Sequence, residues 1–378
     1  YMAYFFLALP SSWILERTGM KRGMALGLAA MAVGCAVFGT YATARNYDAC
    51  LAGLFTIGSG MSLLQTASNP YISILGPIES AAARISIMGI CNKVAGILSP
   101  VLLGLFVMKD VDKFEAKVAS AATPEIRAEL LNGFAAQIYW PYMVMAAFLL
   151  LFAVWIAKSS LPEVRTSEAN AQTSDPTSSQ QQRSIFQFPH LWLGVLCLFL
   201  YVGVEVLAAD AIGTYGKGFG LPGNETKYFT AFTLGAMLLG YVIGLFTIPK
   251  LISQETGLAI SAVLGLVFST AAFLSHGYVS VGFVAALGLA NALMWPAIFP
   301  LAIRGLGRHT EKGSALLIMG IAGGALIPRL FAVLKETHDF QLVFLAIAVP
   351  CYLYILFYSL RGHAMGQRAS VSALATAA

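Results

Sequence analysis

Long apolar runs of about twenty residues alternate with short polar or Gly/Pro-containing breaks along nearly the whole chain. A helix rises about 1.5 Å per residue, so each such run is long enough to cross the roughly 30 Å of hydrocarbon in a bilayer. A membrane-spanning strand would need about half that length with strict alternation, and no such segments occur. The pattern predicts helices near residues 1–15, 23–43, 47–75, 83–108 and 137–157, and a second group near 189–214, 228–248, 257–275, 278–303, 314–334 and 340–360. Between the groups, residues 158–187 carry too few apolar side chains to fold alone and read as a solvated linker. The expected organisation is an N-terminal bundle over 1–158, the linker proper at 159–187, a C-terminal bundle over 188–362 and a tail at 363–378. The first run opens at Tyr1 and is too short to span, so the chain reads as a fragment lacking a helix of its first group.

The two groups resemble each other. Ile87-Met88-Gly89-Ile90 followed by Pro100 returns as Ile318-Met319-Gly320-Ile321 followed by Pro328. Pro10 with Glu16-Arg17-Thr18-Gly19 is echoed by Pro249 with Glu255-Thr256-Gly257, and Asn69-Pro70 by Trp295-Pro296, all at nearly the same offset. The expected fold is therefore an all-α membrane protein of two pseudo-twofold-related six-helix bundles, with eleven helices in this chain and the first incomplete.

Composition agrees and narrows the function. Hydrophobic residues make up 58% and charged residues 11% of the chain, and the mean hydropathy is +0.75. Thirteen Lys and Arg fall on the linker side of the expected helices against eight on the other, which places the linker in the cytoplasm. The net charge of +5 is thus an orientation signal and does not imply nucleic acid. The five cysteines are widely spaced in or beside apolar runs and read as free hydrophobes. There is no phosphate-cradling Gly-x4-Gly-Lys-Ser/Thr loop, no His-Glu-x-x-His and no Gly-x-Ser-x-Gly, and Gly58-Ser59-Gly60 sits inside a spanning run, so ATP-driven pumping and hydrolytic chemistry are not expected.

The informative residues are polar groups at membrane depth, which cost several kcal/mol unless paired or facing a wet cavity. Gln65 and Asn69 share a helix face four residues apart, and their amides both donate to and accept from hydroxyls. Asn291 and Trp295 repeat the spacing in the second group, where an indole can stack on the C–H face of a sugar. Asn92 and Lys93 lie mid-helix, and a Lys there needs an acid, a carbonyl or water. Glu205 is a candidate for taking a coupling cation, ahead of Asp210, which belongs at the interface. Arg329 is expected to be buried and paired with an acid or with substrate. Each has a plainer reading as interhelical glue or packing. Small-residue faces such as Gly240-x3-Gly244 allow close helix approach.

The segment from Pro10 to Arg22, with Glu16, Arg17, Gly19, Lys21 and Arg22, resembles the cytoplasmic loop motif of the major facilitator superfamily. Gln65-Thr-Ala-Ser-Asn-Pro-Tyr-Ile-Ser-Ile-Leu-Gly-Pro77, with Arg84 and Asn92 beyond it, is similar to the fucose permease and glucose/galactose transporter family, as is Tyr201-Val-Gly-Val-Glu205. The resemblance implies a secondary transporter with alternating access that imports a hexose-type sugar, with a proton or sodium ion as coupling ion and no other cofactor. It implies a multi-pass protein of the bacterial inner membrane, monomeric, whose partners are the sugar and the lipid bilayer, and no nucleic acid. It also implies that proton handling does not sit at Gln65, where the fucose permease has a glutamate, and that the family's acidic residue of the first helix precedes this chain. On this reading Gln65, Asn69, Asn92 and Asn291 bind hydroxyls, Trp295 stacks, and Lys93, Glu205 and Arg329 couple or gate. An exporter of the same superfamily would line its cavity with more aromatics, and a non-transporting subunit of a membrane complex would have no reason to keep matched amides in two halves.

Overall fold

A computed structural model describes residues 2–106, 118, 120, 123–163, 184–226 and 228–366. Five long helices form the first group: α1 Met2–Thr18, α2 Met20–Thr43, α3 Tyr47–Ile74, α4 Ala81–Phe106 and α5 Pro124–Lys158. The second group holds α6 Pro189–Asp210, α7 Phe229–Thr247, α8 Gln254–Leu274, α9 Gly277–Asn291, α10 Met294–Ile303, α11 Thr310–Met319, α12 Gly323–Leu334 and α13 Phe340–Leu360. Helices α9 and α10 together make one span, as do α11 and α12, and ten spans are long and apolar enough to cross a bilayer. With the shorter α1 this is the expected eleven, and there is no strand among the described residues. The expected end of α4 at 107–108 and most of the linker lie outside the described residues.

Local chemistry sets the ends. Asn46, Thr123, Ser253 and Asp339 each accept a backbone N–H three residues on, capping α3, α5, α8 and α13. The Thr123 cap with Pro124 at the first helical position starts α5 thirteen residues earlier than the apolar pattern suggested. That pattern marks only the part of a helix inside hydrocarbon, and the first turns of α5 carry Glu125 and Arg127. Helices α1 and α2 are separated by Gly19, whose φ of +82° suits only glycine, and a Cβ there would fall on the Glu163 carboxylate.

The two groups form two bundles. In the first, α2 lies between α3 and α5. In the second, α6 is the central element, against α10, α12 and α13, and most of the deeply buried side chains surround it. The close approach expected at Gly240-x3-Gly244 occurs between α7 and α9. A Cβ on Gly240 would stand 2.6 Å from the Ala292 Cβ and 2.9 Å from the Leu289 carbonyl oxygen. Gly240→Leu is expected to destabilise the protein by about 1–3 kcal/mol through overpacking, visible as a lowered melting temperature in detergent.

Arg329 corrects its expectation: it is exposed. The buried residues of α12 are Gly323, Gly324, Ile327 and Phe331, one face of the helix, and Arg329 lies on the opposite face. It sits within two turns of the helix end at Leu334, near enough for its stem to carry the guanidinium to the headgroup level.

Candidate functional site

Between the bundles lies a cavity of about 450 Å³. The first bundle contributes amides: Gln65 from α3 and Asn92 from α4 line it, with Lys93 beside them. The second contributes aromatic rings, Tyr201 from α6, Tyr241 from α7 and Trp295 from α10, together with Glu205. Tyr4 and Ser68 complete its polar lining. Sequence reasoning named four of the polar groups and Trp295. It did not single out Tyr4 or Tyr241, and it gave Tyr201 only as part of the Tyr201–Glu205 motif, although Tyr201 stands four residues before Glu205 and therefore on the same face.

A hydrogen-bonded chain closes the cavity on the linker side. The Trp295 indole Nε1–H donates to Asn69 Oδ1 at 3.1 Å, joining the halves. Asn69 Nδ2 donates to the Gln65 carbonyl oxygen at 2.9 Å and to Gln65 Oε1 at 3.5 Å, and Gln65 Nε2 donates to the Tyr4 hydroxyl at 3.3 Å. Asn69 is buried five residues before the end of α3, about 7 Å of helix, so this chain lies toward the linker side of the membrane. With its indole N–H committed to Asn69, Trp295 offers the cavity its ring. Asn92 has no side-chain hydrogen-bond partner among the described residues and is exposed to the cavity.

Of the acid, carbonyl or water that its depth calls for, Lys93 finds an acid: its Nζ stands 2.8 Å from Glu205 Oε1, and both side chains are about one-seventh exposed, 16% and 14%. The pair also joins the halves, and lies farther from the linker side than the Asn69–Trp295 contact. Glu205 is sixteen residues into α6, about 24 Å of helix from its linker-side start. Asp210, at the far end of that helix, is exposed, as expected of an interfacial residue.

Asn291 departs from the expectation that it shares a face with Trp295. It is fully buried within the second bundle, where Oδ1 accepts from the Tyr352 hydroxyl at 2.9 Å, and it does not line the cavity. The expectation assumed one continuous helix, but α9 ends at Asn291 and α10 starts at Met294, and the break rotates Trp295 away from Asn291.

On the linker-side surface the loop residues divide their work. Glu16 Oε1 meets Lys312 Nζ across the halves at 3.2 Å. Arg17 lies over the Trp13 ring at 3.8 Å. Lys21 ties the loop to the start of the linker, Nζ donating to the Ser159 carbonyl at 2.7 Å and the backbone N–H to Glu163 Oε1 at 3.1 Å. Arg22 is exposed. The echo in the second half behaves differently. Glu255 pairs with Arg304 of its own bundle at 3.2 Å, while its neighbour Gln254 makes the cross-half contact. Gln254 Nε2 donates to the Ile78 carbonyl at 2.8 Å and its Oε1 accepts from the Ala82 N–H at 3.2 Å. Gln254 is buried and was not singled out from the sequence, where the charged residue beside it gave the stronger signal.

Two helical bundles meet around a polar cavity and are tied together on its linker side by Glu16–Lys312 and by Gln254. The sequence profile of the Major Facilitator Superfamily matches residues 1–328. The chain belongs to the major facilitator superfamily. That membership places it among membrane transporters and not among enzymes. A glucose/galactose transporter of Brucella abortus is 32% identical over 367 residues, covering 95% of this chain and 82% of the relative. An L-fucose-proton symporter of Escherichia coli is 28% identical, over 86% of this chain and 75% of the relative. Among solved structures, the major facilitator transporter FucP in its outward conformation superposes with a TM-score of 0.83 at 23% identity, covering 96% of this chain and 87% of that one. The fold is thus that of the superfamily, with its two helical bundles.

Proposed function

We propose that this protein is a secondary active transporter of the bacterial inner membrane that imports a hexose-type sugar by symport with a proton or sodium ion. The observation that carries the reading is the cavity between the bundles. Amides on one wall face aromatic rings on the other, so a pyranose can donate and accept through its hydroxyl edge at Gln65 and Asn92 while its C–H face lies on Trp295. A cavity of about 450 Å³ has room for such a solute with its water. The similarity to a glucose/galactose transporter and to an L-fucose-proton symporter supports the substrate class and the coupling.

The cross-half contacts suggest how the cavity alternates. Glu16–Lys312, Gln254 with the start of α4, and Asn69–Trp295 all lie on the linker side, the cytoplasmic side by its excess of Lys and Arg. This arrangement corresponds to a state closed to the cytoplasm. Inward opening requires all three to part while Lys93 and Glu205, the coupling and gating pair, exchange partners. Asn69, expected to bind hydroxyls itself, is buried and outside the cavity lining, so it acts on the sugar through Gln65 and Trp295.

Counterflow tests the substrate class without any gradient. Liposomes carrying the protein, preloaded with unlabelled glucose, galactose, fucose or N-acetylglucosamine, should transiently concentrate the matching labelled sugar for at least one of them. Absence of counterflow for all four would sink the hexose reading.

A further inference from the structure

Lys93 and Glu205 are the charged residues among the described residues that line the cavity. Their 2.8 Å contact is made in the same space as Asn92 and the rings of Tyr201 and Tyr241. Asp210, the next acid on α6, is outside the lining. A solute in the cavity therefore lies beside a cation and an anion whose charges cancel. A neutral polyol can donate hydroxyls to Glu205 and accept from Lys93 with no net charge brought in. A sugar bearing a carboxylate or phosphate is different: to pair with Lys93 it must either displace Glu205, leaving that carboxylate unpaired, or share the ammonium with it, which sets two anions side by side at a largely buried pair. A sugar bearing an ammonium group meets the mirror penalty at Lys93.

We propose that the Lys93–Glu205 pair is a charge filter that admits neutral hexoses and rejects uronates, sugar phosphates and amino sugars. The inference rests on the reading of the cavity as a sugar site. It gives the pair a role in specificity that its role in gating does not require, because a latch at the mouth or floor could be equally strong without facing the solute. A filter of opposite charges also has a signature that a simple positive or negative patch lacks, since deleting either member converts the preference in a direction fixed by the member left behind.

The test is equilibrium binding to the full-length protein in lipid nanodiscs, using the neutral hexose that counterflow selects, glucuronate and glucosamine, with melting temperatures measured alongside. Wild type is expected to bind the neutral sugar at least roughly tenfold more tightly than either charged one, since like-charge juxtaposition is costly beside a largely buried pair. Glu205→Gln leaves Lys93 unpaired and should gain glucuronate binding by roughly tenfold or more, with a melting temperature that rises on adding glucuronate. Lys93→Gln should do the same for glucosamine. The double variant, neutral and without a pair, should gain neither. Wild type binding glucuronate as tightly as the neutral hexose would overturn the filter, as would a cooperatively melting Glu205→Gln protein that gains nothing for glucuronate. Failure of wild type to bind any neutral hexose would overturn the sugar reading itself.

Discussion

Lys93→Met is expected to reduce gradient-driven uptake by two or more orders of magnitude and to lower the melting temperature of the protein. Lys93 and Glu205 approach to 2.8 Å with side chains about one-seventh exposed, so removing the cation leaves a carboxylate facing little water. Deleting one member of a buried pair costs about 3–5 kcal/mol, chiefly through the charge left behind, and the residual exposure here favours the lower part of that range. Replacing both members, as in Lys93→Met with Glu205→Leu, removes the orphaned charge and should restore much of the melting temperature. It should not restore uptake, because no charged group then remains to exchange partners as the bundles move. Melting in detergent and uptake in liposomes separate the two effects. A Lys93→Met protein with wild-type uptake would show that the pair plays no part in the transport cycle.

Asn69→Ala is expected to abolish concentrative uptake by acting on two things at once. Asn69 Oδ1 is the acceptor for the Trp295 indole across the halves, and its Nδ2 orders Gln65, which lines the cavity. Trp295→Phe isolates the first of these. It removes the indole N–H and keeps a ring, so sugar binding should change by only a few-fold, while the state closed to the cytoplasm loses one interhalf hydrogen bond of about 0.5–1.5 kcal/mol. That loss corresponds to a shift of roughly twofold to twelvefold toward the inward-open state. Distances between spin labels placed on exposed cytoplasmic ends of the two bundles would report the shift. An unchanged distance distribution in both variants would remove Asn69–Trp295 from the gate.

The repeat made the architecture readable before any coordinates, because hydrocarbon allows so few ways to satisfy a backbone that run length alone gives most spans. It also brought Asn69 and Trp295 to attention as equivalents, and the structure joins them by a hydrogen bond. What was not legible depended on three-dimensional facts with no local signature. Lys93 called for an acid, a carbonyl or water, and an acid 112 residues away cannot be singled out by spacing. Asn291 was misplaced because four-residue spacing implies a shared face only along an unbroken helix, and residues between α9 and α10 interrupt it. The depth of Arg329 along α12 is legible but its face is not, and the glycines of α12 occupy the buried side. Gln254 stayed hidden because a neutral amide that bonds only to backbone leaves no complementary residue in the sequence to suggest it.

Whether a cation gradient drives a neutral hexose through the cavity between the bundles is decided by uptake into liposomes that carry the protein. Labelled glucose, galactose, fucose and N-acetylglucosamine would be supplied outside, under an inward proton gradient and then an inward sodium gradient. At least one sugar should accumulate above its external concentration under one of the gradients, an ionophore for that ion should collapse the accumulation, and Asn69→Ala should prevent it. Equilibration without accumulation under both gradients, or no entry of any of the sugars into vesicles containing folded protein, would contradict it.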